Sequence, residues 1–132
     1  MSINSRSKSI LLVDNEPDII YLFKYVLENR NYDVYGFTNP LEALEHYKPN
    51  CARYGLVISD IRMPVMTGFD LLKNLRKIDV NISLILMSAY DIIDFSELDG
   101  IKIDGFMQKP ITIRELLSTI EKHFININVT RL

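Results

Sequence analysis

The sequence predicts an α/β domain built on a doubly wound parallel sheet. Short continuous apolar runs alternate about five times with segments of helical spacing. A run that is apolar at every position suits a strand covered on both faces, the usual condition of a parallel sheet. Several of these runs end in a charged or polar residue, as in LLVDNEP, LVISDIRMP, LILMSAY and GFMQKP.

The elements follow in order. Residues 10–13 (ILLV) read as the first strand, after a flexible lead over 1–8. Pro17 suits a first helical position, and Ile19, Ile20, Phe23, Val26 and Leu27 follow at helical spacing. Residues 33–37 (DVYGF) form the second strand. Asn39 and Pro40 open a short helix bearing Leu41, Leu44 and Tyr47, which Pro49 and Asn50 end. Residues 56–59 (LVIS) are the third strand. In the loop after it, Thr67 and Asp70 are spaced as a capping box before Leu71, Leu72 and Leu75. Residues 82–87 form the fourth strand, and 92–99 a short, weak fourth helix. Residues 103–107 make the fifth strand. Thr112 and Glu115 repeat the cap signature before Ile113, Leu116, Leu117, Ile120 and Phe124.

Right-handed crossovers restrict how such units connect. The flavodoxin-like (βα)5 arrangement, strand order 2-1-3-4-5, is the common solution at this length, with its switch point between the first and third strands. Asp14 and Asp60 then stand side by side, and Ser88 and Lys109 follow the fourth and fifth strands. Carboxylates, a cation and a hydroxyl converging on one crevice suit a hard divalent metal and a phosphoryl group.

Composition narrows the classes. The 132 residues fit a single domain over 1–132, with a core at about 8–124 and a short C-terminal tail. A net charge of −2 implies no broad basic face, so no direct nucleic-acid partner is expected. No apolar run is long enough for a membrane span, and MSINSRSKS lacks the apolar core of a secretory signal. Cys51 is alone, which leaves no intrachain disulfide. A cytoplasmic location is expected. His46 and His123, far from the motifs in sequence, are expected to be surface residues.

Taken together, VDNEPDI, DIRMPVMTGFDLL, SAY and KPIT carry a resemblance over roughly residues 8–124 to the response-regulator receiver domains of two-component signalling. The resemblance implies a phosphoprotein of a phosphorelay, not an enzyme. Asp60 resembles the phosphoacceptor. Asp14, Asn15, Asp60 and the backbone carbonyl of Arg62 match the Mg²⁺ site. Lys109 matches the lysine that precedes a proline, often through a cis peptide, and is expected to pair with Asp60. Ser88 and Phe106 match the switch hydroxyl and switch aromatic. The implied partners are a sensor histidine kinase or phosphotransfer protein. A downstream protein or a second copy would dock on the face of the fourth helix, fifth strand and fifth helix, where Ile92, Ile93, Phe95, Phe106 and Ile113 cluster.

Two residues depart from the family pattern. Asn15 stands where a second acid is usual, and Glu16 is a candidate to restore the charge. Phe106 lacks the hydroxyl of the tyrosine often found there. Asn15 also motivates an alternative, a receiver-like docking module that works without phosphorylation. A Mg²⁺-dependent phosphohydrolase is a third reading. Such enzymes usually carry a general-acid aspartate near the nucleophile, for example two residues on, where this chain has Arg62.

Overall fold

The computed structural model describes residues 8–89 and 93–131, with side chains described to residue 125. Residues 1–7 of the lead expected over 1–8, Tyr90 of the SAY motif and Ile92 lie outside the described residues. Five parallel strands form one sheet in the order β2-β1-β3-β4-β5. They are β1 (Ser9–Val13), β2 (Asp33–Phe37), β3 (Tyr54–Asp60), β4 (Leu84–Ser88) and β5 (Gly105–Gln108). Among the described residues four α-helices accompany them: α1 (Pro17–Glu28), α2 (Pro40–Asn50), α3 (Gly68–Ile78) and α4 (Ile113–Arg131). The expected order and fold are therefore present.

The strands divide their side chains by the two-residue period of a pleated sheet. Leu11, Val13, Val57, Leu84 and Leu86 meet Leu44 and Tyr47 of α2 and Leu71, Leu72 and Leu75 of α3. Ile10, Leu12, Leu56, Ile58 and Met87 face the other way, onto Phe23 and Leu27 of α1 and Leu116, Ile120 and Phe124 of α4. Each fully buried Leu, Ile or Phe contributes about 1.5–3 kcal/mol by leaving water. These two layers fix the strand ends that build the crevice.

Helix starts follow the local chemistry. The Asn39 side chain accepts from Leu41 N at 2.9 Å, and Thr67 Oγ1 accepts from Asp70 N at 3.1 Å. Thr112 Oγ1 accepts from Glu115 N at 3.0 Å. Pro49 does not end α2 but lies within its last turn, and a 3₁₀ turn (Cys51–Arg53) follows.

Two other expectations need correction. Among the described residues, the fourth of five expected helices is only a 3₁₀ turn, Phe95–Leu98. Asp94 caps it by accepting from Ser96 N, and Asp99 and Gly100 adopt positive φ, which takes the chain out of helical geometry after one turn. The last helix is thus α4, and it runs to Arg131 through the stretch expected to be a tail.

His46 is not a surface residue. It is half-buried among Tyr35, Phe37 and Tyr54, with ring centroids 5.7, 5.0 and 5.7 Å away. Its Nε2 pairs with the Tyr54 hydroxyl. Burial pushes the Tyr54 phenol up to about 12, so a protonated phenol meets the imidazole. His123 is also half-buried, against the Phe124 ring.

Burial, and then the Arg53 charge, hold His46 below its ordinary value of 6.5. The unfolded chain therefore takes up this proton first, and the contribution of neutral His46 to stability is lost as pH falls below 6.5. Wild type is expected to lose more stability than His46→Gln between about pH 7.5 and 5.5. Urea unfolding at both pH values checks this, and equal losses in the two proteins would contradict it.

Candidate functional site

The site grows from the carboxyl ends of three neighbouring strands. Val13 of β1 pairs in register with Ser59 of β3, so Asp14 and Asp60, each one residue on, end at the same level. Asp14 is fully buried and Asp60 is 5% exposed. Two carboxylates so placed need compensation, because the charged form of a buried acid is costly unless paired.

Lys109 supplies it. Its backbone N donates to the Ser88 carbonyl at 2.7 Å, which fixes the chain just past β5, and the peptide to Pro110 is cis. The Lys109 ammonium donates to Asp14 Oδ2 at 2.7 Å, to Glu16 Oε1 at 3.2 Å and to Asp60 Oδ2 at 3.4 Å. The expected pairing with Asp60 is present, but the shortest contact is to Asp14. Glu16, expected only as a candidate to restore the charge missing at Asn15, is thus also a partner of Lys109. Its spacing from the Lys109 motif carries no signal for the contact, since 93 residues separate them.

The charges shift one another. Burial, then the neighbouring Asp14, push the Asp60 carboxyl above its ordinary 3.8, and Lys109 offsets only part of this. Burial alone would lower Lys109, but its bond to Asp14 and the charge of Asp60 outweigh that and hold it above 10.5.

The remaining expected residues surround this group unevenly. Asn15 is exposed. Arg62 is exposed and borders a cavity of about 300 Å³ with Thr67, Phe69, Ser88, Asp94 and Glu97. Ser88 is buried at the end of β4, whose Met87 pairs in register with Asp60. Phe106 is half-buried on the α3 side of the sheet. Its ring meets Phe95 edge-on at 5.8 Å, and Phe95 meets Phe69 of α3 at 6.2 Å. Phe95 thus joins the 3₁₀ turn to both the candidate switch aromatic and α3.

The loop between Asp60 and α3 is shaped by two backbone features. A Cβ on Gly68 would lie 2.4 Å from the Asp60 carbonyl oxygen, so only glycine lets α3 start this close to the strand end. Met66 N donates to the Pro64 carbonyl at 2.8 Å around Val65, whose φ is +77°. This is a strained γ-turn, costlier still on a β-branched residue.

The donor set suits Mg²⁺. Three carboxylates, Asp14, Glu16 and Asp60, surround one ammonium, which leaves an excess of about two negative charges at neutral pH. Among the described residues no three acid, imidazole or thiol side chains form a closed metal cage. Mg²⁺ asks for one or two carboxylates, waters and substrate oxygens rather than such a cage.

Comparisons with known proteins agree with this geometry. The family model for the response regulator receiver domain matches residues 10–121. Over 115 residues the chain is 34% identical to the phosphoglycerate transport system transcriptional regulatory protein of Salmonella typhimurium, covering 86% of this chain and 27% of that protein. Over 118 residues it is 30% identical to sporulation initiation phosphotransferase F of Bacillus subtilis, covering 89% of this chain and 94% of that protein. Over 117 residues it is 30% identical to the alkaline phosphatase synthesis transcriptional regulatory protein of Bacillus subtilis, covering 87% of this chain and 48% of that protein. The chain thus spans less than half the length of the two transcriptional regulators. Among solved structures, a receiver domain protein from Methanospirillum hungatei superposes with a TM-score of 0.85 at 26% identity, over 94% of this chain and 98% of that one.

The raised Asp60 carboxyl has a stability consequence. A folded value above the unfolded one gives a contribution that is full below pH 3.8 and lost as pH rises through the folded value. At neutral pH the ionised Asp60 therefore costs the fold. Asp60→Asn is expected to stabilise the metal-free protein by about 1 kcal/mol, roughly 3–5 °C in Tm for a chain of this size. Thermal unfolding in a chelator near pH 7 measures it, and a less stable variant would contradict the reading.

Proposed function

The chain belongs to the response regulator receiver domain family, and from that premise we propose that it accepts a phosphoryl group on Asp60 and uses it to switch a partner-binding face. Receiver domains are signalling modules that interact with histidine kinases or phosphotransfer proteins, and they generally bind Mg²⁺ at an acidic site. The observation that carries the proposal is the Asp60 carboxylate. It is nearly buried, sits beside Asp14, shares the Lys109 ammonium, and lies where its charge costs stability. A carboxylate kept at such a cost has a chemical use.

In the proposed reaction an Asp60 oxygen attacks the phosphorus of a phosphohistidine on the donor. The O–P bond forms and the N–P bond breaks, its electron pair going to the departing imidazole, which then takes a proton. The product is an aspartyl phosphate whose phosphoryl group carries about two negative charges where the carboxylate carried one, a net gain of about one against Asp14. Lys109 swings its ammonium from the carboxylates to a phosphoryl oxygen, since each of its three N–H donors is free to change acceptor. Asp14 and Asp60, with the Asn15 side-chain oxygen and the Arg62 carbonyl, are the groups that would hold Mg²⁺. When bound, Mg²⁺ supplies neutralising charge against the phosphoryl oxygens. The Ser88 hydroxyl donates to another phosphoryl oxygen.

The switch then runs through packing. Movement of Ser88 toward the phosphoryl group vacates space for Phe106 to turn inward, away from Phe95. The 3₁₀ turn loses that contact, and the face made by the turn, β5 and α4 repacks. A downstream protein or a second copy docks on this face, where Phe95 and Ile113 are 42% and 49% exposed. The phosphorylation-independent docking module, read from Asn15, is the weaker alternative, because it gives no use for a costly buried carboxylate. A cytoplasmic setting belongs to the same reading. Among the described residues no helix is long and apolar enough to cross a membrane.

Incubation with Mg²⁺ and acetyl phosphate is expected to add one phosphoryl group, read by mass spectrometry, in wild type and not in Asp60→Asn. Lys109→Ala is expected to lose the hydrogen-exchange response of the 93–113 face while remaining folded. Equal labelling of wild type and Asp60→Asn would overturn the phosphoacceptor assignment. A full response in Lys109→Ala would overturn the role given to the ammonium.

A further inference from the structure

Glu16 occupies the N-cap position of α1 without acting as a cap. An acid there normally accepts from the first helical amides. The Glu16 carbonyl accepts from the amides of Ile19 and Ile20, at 3.1 and 3.3 Å, as an N-cap carbonyl does in any helix, but its side chain accepts from none of the first helical amides. The Glu16 amide is held by Asp14 Oδ1 at 2.9 Å, which fixes the backbone. The side chain is left to reach across the crevice to Lys109.

Lys109 has three donors and three acid partners. Asp14 and Asp60 are held by the ends of β1 and β3, whereas the Glu16 side chain is 61% exposed and projects from a helix start. Asp60 receives the longest of the three contacts, 3.4 Å. We propose that Glu16 is a positioning residue that holds the Lys109 ammonium on the α1 side of the crevice, off Asp60. This rests on the phosphoacceptor reading of Asp60. It adds that phosphoryl uptake is restrained by a contact from outside the buried pair. The ammonium must leave Glu16 before all its charge can face the phosphoryl group.

Two variants separate positioning from a general field effect. Glu16→Gln removes the charge. Glu16→Asp keeps the charge but is one methylene too short to hold a contact of 3.2 Å from the same backbone. Two readouts are used on the full chain. One is the rate of phosphoryl uptake from acetyl phosphate at saturating Mg²⁺. The other is the ammonium NMR resonance of Lys109 without metal, assigned by its loss in Lys109→Met. Both Glu16 variants are expected to shift the resonance in the same direction and to take up phosphate roughly two- to fivefold faster, the range of a partly exposed ion pair. Glu16→Asp behaving as wild type in both readouts would overturn the proposal. If the resonance shifts alike in both variants and no protein is phosphorylated, the positioning role stands and the phosphoacceptor reading fails.

Discussion

One ammonium holds the carboxyl end of this sheet together. The strand order places β1 beside β3, and the register brings Asp14 and Asp60 to one level. Two unit charges about 4 Å apart repel by roughly 4 kcal/mol gross at an effective dielectric near 20. Lys109 reaches both carboxylates and is itself anchored by its backbone bond to Ser88. The same side chain therefore makes the crevice tolerable to the fold and available to a charged ligand. Burial and Asp14 hold Asp60 above its ordinary value, so its charge costs the fold, whereas Lys109 is held above its own by its acid partners and offsets part of that cost.

The division of labour between sheet and loops follows from that constraint. Rigid groups come from strand ends, where the two apolar layers leave no freedom. Adjustable groups come from the connections. Thr67 and Gly68 start α3 against the Asp60 carbonyl, and the γ-turn at Val65 holds the loop in a conformation that only surrounding structure enforces. On the other side, Phe95 on a single 3₁₀ turn touches both Phe106 and Phe69. A turn with so few backbone bonds is a low-cost element to repack.

Much of this was legible in the residues. Runs such as ILLV and LVIS have the pattern of doubly buried strands, and their alternation with capped helices points to one common topology. Asp14, Asp60, Ser88 and Lys109 followed because strand ends in such sheets share a crevice. Tertiary contacts without a sequence period were not legible. Glu16 meets Lys109 through a side-chain reach that no spacing encodes. His46 looked like a helix-surface residue, yet β2 and β3 supply aromatic rings that enclose it. The loss of the fourth helix was hinted by weak periodicity over 92–99, but its cause is the positive φ of Asp99 and Gly100, which the side chain of Asp99 does not announce.

The measurement closest to the central claim is a double-mutant cycle on Lys109 and Asp60, read as unfolding free energy near pH 7 without metal. Lys109→Met alone strands two buried carboxylates and is expected to cost roughly 3–5 kcal/mol. Asp60→Asn added to it is expected to recover at least 1 kcal/mol more than Asp60→Asn gains in wild type, above the few tenths expected of independent sites. Additive effects would show that Lys109 is not what allows Asp60 to be charged within the fold, and would contradict the account.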